Sequence, residues 1–212
     1  MDACHLVLVE GITKLGQSID EAKIDCLLGF INLVEKWNKA YNLTAIKQKQ
    51  DMIRLHVLDS LTVLPYLNGT KIIDIGTGAG LPGIPLAICL PDLAFTLLDS
   101  NAKKTRFVQQ AVLELKLTNV QIVHSRVEDF QPEQRYDTVL TRAFAELADI
   151  VQTTRHLAAE NGRLLAMKGR CSDEELSQVL HKKTIIPVQV PEVEAERNLV
   201  CIELNQNHVN GE

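Results

Sequence analysis

The chain has 212 residues, 46% hydrophobic and 23% charged. That is the balance of an ordinary globular protein, and it excludes long disorder, collagen-like repeats and disulfide miniproteins. Its net charge of -5, from 22 Lys and Arg against 27 Asp and Glu, excludes a uniformly basic nucleic-acid coat, so a polyanion must meet a local patch. Aromatic residues are 4% of the chain, too few for a broad base-stacking surface.

Cys4, Cys26, Cys89, Cys171 and Cys201 are odd in number, widely spaced and never in a CxxC pair. Reduced thiols are the reading, with neither a disulfide framework nor a thiolate metal site. His5, His124, His156, His181 and His208 are scattered without ligand spacing, so no metal is expected. The stretch Met1-Asp2-Ala3-Cys4-His5 lacks the basic flank of a secretory signal. The longest apolar run, Ile84 to Leu90, contains Pro85 and falls well short of the roughly 20 residues that span a bilayer. A cytoplasmic protein with no membrane partner is expected.

In chain order, residues 1–69 read as a helical cap. Ser18-Ile19-Asp20-Glu21 has the form of a capping box, with Ser18 and Glu21 satisfying each other's amides. Ile24, Leu27, Leu28, Ile31, Val34, Trp37 and Tyr41 then recur at helical spacing, which makes Trp37 a core residue rather than a base-stacking ring. A further helix is predicted from about Asp51 to Leu67, closing at Asn68-Gly69.

From Lys71 onward, β-branched runs alternate with helical stretches. The strands are Lys71 to Ile75, Ala94 to Leu98, Val120 to Val123, Asp137 to Leu140 and Arg163 to Met167, an alternation that implies a parallel sheet with crossover helices. Asn101 caps a helix carrying Phe107, Val108, Ala111, Val112 and Leu115, and Ser172 with Glu175 forms a second capping box. Thr184 to Val190 and Asn198 to Leu204 are joined only by Pro191 to Arg197. That link is too short for a helical crossover, so these two strands pair antiparallel.

The most informative stretch is Ile72-Ile73-Asp74-Ile75-Gly76-Thr77-Gly78-Ala79-Gly80-Leu81-Pro82-Gly83. A buried strand runs into glycines that allow a tight turn and a close backbone approach, then into a helix that Pro82 or Pro85 starts. A nucleotide-like ligand belongs over such a turn. Gly78, Gly80 and Gly83 also satisfy the dinucleotide fingerprint G-x-G-x-x-G. Asp74, at the mouth of the strand, would repel a pyrophosphate and attract an ammonium or sulfonium, which favours S-adenosylmethionine over NAD. Asp99 ends the next strand, where ribose hydroxyls bond to an acid. Val127-Glu128-Asp129-Phe130 follows the third strand and suits an adenine ring with its exocyclic amine.

The basic residues are segregated. Lys36, Lys39, Lys47, Lys49 and Arg54 face one acid, Asp51, whereas the segment from Cys171 onward is acidic. Lys103, Lys104 and Arg106 open the helix after the second strand, and Arg126, Arg142 and Lys168 lie just beyond strand carboxyl ends. In an open α/β sheet that edge is the ligand crevice, and several cations on it suit a polyanion.

Four blocks carry a resemblance: Trp37-Asn38-Lys39-Ala40-Tyr41-Asn42-Leu43-Thr44, His56-Val57-Leu58-Asp59-Ser60, Gly76-Thr77-Gly78-Ala79-Gly80-Leu81-Pro82-Gly83-Ile84-Pro85-Leu86 and Thr141-Arg142-Ala143-Phe144-Ala145. They resemble the bacterial small-subunit (16S) ribosomal RNA guanine-N7 methyltransferases, the glucose-inhibited division protein B family, from about residue 20 to residue 204. Ala79 stands where some members have proline. The resemblance implies a class I methyltransferase, Rossmann-like fold: a seven-stranded sheet with a terminal antiparallel hairpin and an N-terminal helical cap. Residues 1–69 would be the cap and 70–212 the S-adenosylmethionine-binding domain.

It further implies S-adenosylmethionine as methyl donor and 16S rRNA or the small ribosomal subunit as partner. A monomer is expected. Carried over by position, Gly76 and Leu81 would line the methionine end beside Asp74 and Gly78, and Val127 and Glu128 would flank the adenine beyond Asp99. Arg142 would reach the cofactor or the target base and carries the catalytic assignment. Lys103, Arg126 and Lys168 would hold RNA, and Asn42, His56 and Asp59 would form the cap-side wall.

Guanine N7 has an in-plane lone pair and no proton, so the transfer needs alignment and water exclusion rather than a general base. Arg142 can serve a phosphate, the cofactor carboxylate or guanine O6, but donating to N7 itself would block the reaction. His56, on a helix with Leu55, Leu58 and Leu61, reads as a satisfied structural histidine bonded to Asp59. Three other readings stay open. One is a non-catalytic RNA or ribosome-binding module, against which the intact glycine loop and Asp99 argue. Another is a nicotinamide oxidoreductase, against which Asp74 and the lack of a Tyr-x-x-x-Lys motif argue. The third is a small-molecule methyltransferase.

Overall fold

The structure, a computed structural model, describes residues 2–142 and 146–204. Ala143, Phe144 and Ala145 of the fourth motif block, and His208, lie outside the described residues.

The cap opens with α1 (Ala3–Lys14) and α2 (Glu21–Tyr41). Asp20, not Ser18, caps α2, accepting from Lys23 N at 3.0 Å. Asp20 directly precedes the first helical residue, and its charge complements the helix N-terminus, so it displaces the serine. Ile24, Leu27, Phe30, Ile31 and Val34 form the buried stripe of α2. Trp37 packs against Tyr41 and Phe107, with ring centroids 5.0 and 6.0 Å away, and belongs to the core.

The single helix expected over Asp51 to Leu67 is broken. It becomes α3 (Lys49–Met52), a π-helical turn (Ile53–Leu58), α4 (Asp59–Leu61) and a 3-10 turn (Leu64–Tyr66). The wider π turn holds an extra residue per turn, and such bulges are frequent at functional sites; His56 lies within it and Asp59 immediately after.

The sheet comprises β1 (Lys71–Ile75), β2 (Ala94–Asp99), β3 (Val120–His124), β4 (Tyr136–Arg142), β5 (Ala158–Lys168), β6 (Lys183–Pro187) and β7 (Asn198–Glu203). Its order is β3-β2-β1-β4-β5-β7-β6. The first five strands are parallel, and β7 runs antiparallel to both neighbours. The helices α5 (Gly83–Cys89), α6 (Ala102–Glu114), α7 (Leu147–Thr154) and α8 (Asp173–Ser177) lie in the connections. Asn101 caps α6 by accepting from Lys103 N and Lys104 N, and Ser172 accepts from Glu175 N. Glu175 does not complete the second box: its Oε1 accepts instead from Leu147 N and Lys168. β5 begins at Ala158, well before the expected Arg163, and the extra residues are accommodated where the β4–β5 register shifts between Tyr136 and Thr138.

Strand alternation divides the core. Ile72, Leu97, Leu140 and Leu165 join Leu8, Leu27, Ile31, Leu58 and Phe107 beneath the cap, while Ile73, Ile75, Leu98, Val139 and Leu164 join Leu147 and Ile150 on the other face. Cap and sheet therefore share one core. Among the described residues no helix is long and apolar enough to cross a membrane, and no three His, Cys, Asp or Glu side chains form a metal-holding group.

Candidate active site

The carboxyl ends of β1, β2, β4 and β5 meet at one edge of the sheet. The antiparallel run of β7 brings its amino end, Asn198, to the same edge opposite Lys168. Two cavities open there.

The strand-end cavity, about 360 Å³, is lined by Gly76, Asp99, Lys104, Arg126, Val127, Glu128 and Arg142, among others. Its floor is the glycine loop. Gly78 has φ +60, a conformation that favours glycine, and its N–H donates to Asp99 Oδ2 at 2.9 Å. Asp99 Oδ1 accepts from Asn101 N at 2.8 Å, so this carboxylate joins the loop to the start of α6. At Gly83 an added Cβ would lie 2.1 Å from Leu97 Cδ2 and 2.9 Å from Asp74 Oδ2, so α5 packs here only through glycine.

Asp74 is buried on the cap-side face of β1, and its Oδ2 accepts from Thr77 Oγ1 at 2.7 Å and Gly83 N at 2.9 Å. It lines neither cavity, so its first task is to brace the loop. Its Oδ1 is buried with no hydrogen-bond partner. Burial pushes the carboxyl up to about 7, opposed by the bonds from Thr77 and Gly83. Leu81 also differs from its expected place: its side chain is in the core beneath the cap, and its N–H is held by Thr77 O at 2.8 Å.

The cap-side cavity, about 340 Å³, is lined by Ile46, His56, Asp59, Arg142, Met167, Lys168, Arg197 and others. Its polar groups hold one another. Arg142 Nη1 donates to Leu55 O at 3.2 Å and Asp59 Oδ2 at 3.4 Å, while Arg197 Nε lies 3.3 Å from Asp59 Oδ1. Burial raises the Asp59 carboxyl, against the pull of both arginines. His56 is not bonded to Asp59. Its Nδ1 meets Leu55 O at 3.1 Å and its Nε2 meets Thr44 Oγ1 at 3.0 Å. Burial, with the Arg142 guanidinium adding to it, pushes the imidazole down to about 4, so it is neutral near pH 7. Lys168 pairs with Glu175.

Among the described residues Arg142 alone lines both cavities. Val127, Glu128 and Arg126 border the strand-end cavity as the sequence suggests, and His56 and Asp59 border the cap-side one. Asn42 is at neither: it ends α2 in a left-handed conformation, φ 50, and lines a separate hollow. Lys103 is exposed on the first turn of α6, with Lys104 taking the place at the cavity. Arg54 and Lys49 are engaged elsewhere, by Glu192 at 2.6 Å and by Glu35 at 3.1 Å.

Sequence reasoning missed Thr44 as a partner of His56, and Arg197. The second was accessible, since an antiparallel strand starting at Asn198 puts the preceding residue at the ligand edge.

A family model described as rRNA small subunit methyltransferase G matches residues 23–200. Among curated relatives, the ribosomal RNA small subunit methyltransferase G of Nitrosococcus oceani is 49% identical over 197 residues, covering 92% of each chain. That of Chromobacterium violaceum is 48% identical over 91% of this chain and 94% of its own. Solved structures share the fold at low identity. A putative S-adenosyl-L-methionine-dependent methyltransferase from Methanococcus maripaludis matches with TM-score 0.61 and 14% identity, over 85% of this chain and 94% of that one. Magnesium protoporphyrin IX methyltransferase from Synechocystis, solved with bound SAM, matches with TM-score 0.60 and 15% identity, over 82% and 97%. With its class I methyltransferase sheet and a family match over most of its length, this chain belongs to the rRNA small subunit methyltransferase G family, the S-adenosylmethionine-dependent methyltransferases of ribosomal RNA.

Proposed function

We propose that the protein methylates N7 of one guanine in the 16S rRNA of the small ribosomal subunit, acting in the cytoplasm as a monomer. Residues 1–69 serve as the cap that shapes the acceptor side, and 70–212 as the donor-binding domain. The observation that carries this reading is Arg142, which borders both cavities: a donor in one and a base in the other would meet at its guanidinium.

The residues present fit S-adenosylmethionine. Asp74, with one buried carboxylate oxygen unpartnered, places a negative group beneath the turn that would face the donor's ammonium, and Gly76 and Gly78 bring no Cβ to that turn. Asp99 spends one bond per oxygen on the protein and keeps lone pairs for ribose hydroxyls. Val127 and Glu128 offer an apolar side and an acceptor to adenine. Leu81 acts only through packing. When bound, the donor supplies a sulfonium methyl that a neutral lone pair can attack.

The cap-side cavity suits an acceptor that needs no base. His56 is neutral with both ring nitrogens engaged, Asp59 is held by two arginines and Lys168 by Glu175. N7 presents its lone pair without losing a proton, so the work left to these residues is to orient the base and exclude water. Arg142, pinned by Leu55 O and Asp59, can donate to guanine O6 and leave N7 free. Arg126 and Lys103 contribute positive potential for RNA, and Lys168, paired with Glu175, lines the cap-side cavity where the RNA would enter.

The test is to incubate the protein with labelled donor and small subunits from a strain lacking the modification, then map cleavage specific to N7-methylguanine. Label at one guanine of the rRNA is the expected result. Label absent from RNA would end the proposal.

A further inference from the structure

A hollow of about 750 Å³ lies in the cap, lined by Glu35, Asn38, Lys39, Asn42, Thr44, Ala45, Lys47 and Met52. It has no part in the site above, yet it stands directly behind it. Thr44, Ala45 and Lys47 line the hollow while Ile46 lines the cap-side cavity, so one short segment forms the wall between them. Thr44 is fixed on both sides: its N–H donates to Asn38 Oδ1 at 2.9 Å, and its hydroxyl meets His56 Nε2.

The charge of this wall is set by which cations are already engaged. Lys14 and Arg54 are held by Glu192, Lys23 by Asp20 and Lys49 by Glu35. Lys36, Lys39 and Lys47 are exposed, with no ion-pair partner among the described residues. Two of the three line the hollow, and the acid beside them, Glu35, is neutralised by Lys49. A chain of net charge -5 thus presents an uncompensated positive hollow one segment away from the cavity assigned to the base.

A base taken into a pocket leaves its stack, and its neighbours in the strand must cross the rim. We infer that this hollow, through Lys39 and Lys47, holds the sugar–phosphate backbone of the RNA nucleotides flanking the target guanine. The inference rests on the proposed function for which strand end enters the cavity, and its ligand class is single-stranded RNA backbone, gripped by charge and without base readout.

The test compares the wild type with Lys39→Gln/Lys47→Gln and with Lys39→Arg/Lys47→Arg, titrating unmodified small subunits across a salt series. The two lysines face solvent, so folding should be kept, and S-adenosylmethionine affinity measured on the same preparations confirms it. In the glutamine variant, affinity for subunits should fall roughly five- to twentyfold at low salt, and the slope of log affinity against log salt should shrink by about 1.4, or 0.7 per lost phosphate contact. The arginine variant should retain both. An unchanged affinity, or a loss with the salt slope intact, as a contact to a ribosomal protein's neutral surface would give, overturns the inference. Because binding is read without turnover, a wild type that binds subunits with this lysine dependence but puts no label in RNA would sink the proposed reaction and leave the hollow standing.

Discussion

The two cavities are similar in size and built in opposite ways. The strand-end cavity is made by residues adjacent in sequence to strand termini: the glycine loop after β1, Asp99 at the end of β2, Val127 and Glu128 beyond β3. Its internal bonds, such as Gly78 N to Asp99, join neighbouring strands. The cap-side cavity is assembled from six separate segments, and its hydrogen bonds and ion pairs bring Thr44 to His56, Asp59 to Arg142 and Asp59 to Arg197. A pocket set by strand order tolerates change around it. A pocket held by long-range pairs of buried polar groups transmits each loss to its neighbours.

Arg142 joins the two halves, and its replacement should have the largest effect. Arg142→Ala should lower turnover by about 10²–10³, the usual cost of removing a donor aimed at the reacting centre, with little change in S-adenosylmethionine affinity. Arg142→Lys keeps a cation facing Asp59 and isolates the geometric part of the loss. Equal losses in turnover and donor affinity, read by single-turnover kinetics and calorimetry, would make Arg142 a donor ligand only. On the donor side alone, Asp99→Ala should weaken S-adenosylmethionine by roughly 10- to 100-fold, the value of a hydrogen bond to a charged group, without altering affinity for subunits. If subunit affinity falls equally, the separation of the halves fails.

The halves also respond to acid in opposite senses. Asp74, raised to about 7, binds its proton in the folded protein from near the ordinary carboxylate value up to about 7. The unfolded chain has lost it there, so the free protein loses stability as pH climbs through that window. His56, lowered to about 4, is neutral when folded while the unfolded chain takes up a proton below about 6.5. Stability is therefore lost as pH falls from about 6.5 to about 4. Donor affinity should rise between pH 6 and 8, as Asp74 ionises beneath the turn that would face the ammonium, by no more than tenfold per pH unit. Asp74→Asn should flatten that profile, and a profile unchanged in the variant would remove Asp74 from donor binding.

The same contrast explains what the sequence made legible. Strand termini, the glycine turn and the acids at Asp99 and Glu128 are local signals, and hydrophobic alternation locates them to within a few residues. β7 was identifiable as antiparallel from the shortness of the Pro191–Arg197 link, and Arg197 follows from that placement. The break of the Asp51–Leu67 helix into a π turn at Ile53–Leu58 left no such mark, because an i→i+5 ladder has no residue signature of its own. Helical spacing alone points His56 at Asp59, three residues on, whereas the ring turns to Thr44 across the chain. The place of Asp74 at the strand end is legible in the sequence, but its bonds to Thr77 and Gly83 depend on how the turn folds back.

The smallest expected effect tests the weakest link of the cap side. Thr44→Val keeps the volume of the side chain and removes the hydroxyl that meets His56 Nε2 and accepts from Ile46 N at 3.1 Å. Each neutral hydrogen bond lost between half-buried groups costs about 0.5–1 kcal/mol, and more where the partner stays dry. His56 is buried, so part of that penalty remains with its ring, and denaturant unfolding should show a loss of about 1–2 kcal/mol. Donor affinity should not move, since Thr44 lines only the hollow in the cap and braces the cap-side wall. The kcat/KM on subunits should fall a few-fold through a rise in KM, because the wall of the cap-side cavity loosens while Arg142 keeps its own anchors at Leu55 and Asp59. A Thr44→Val protein that loses donor affinity as much as subunit affinity would show that the two cavities are one coupled unit, joined by more than the arginine between them.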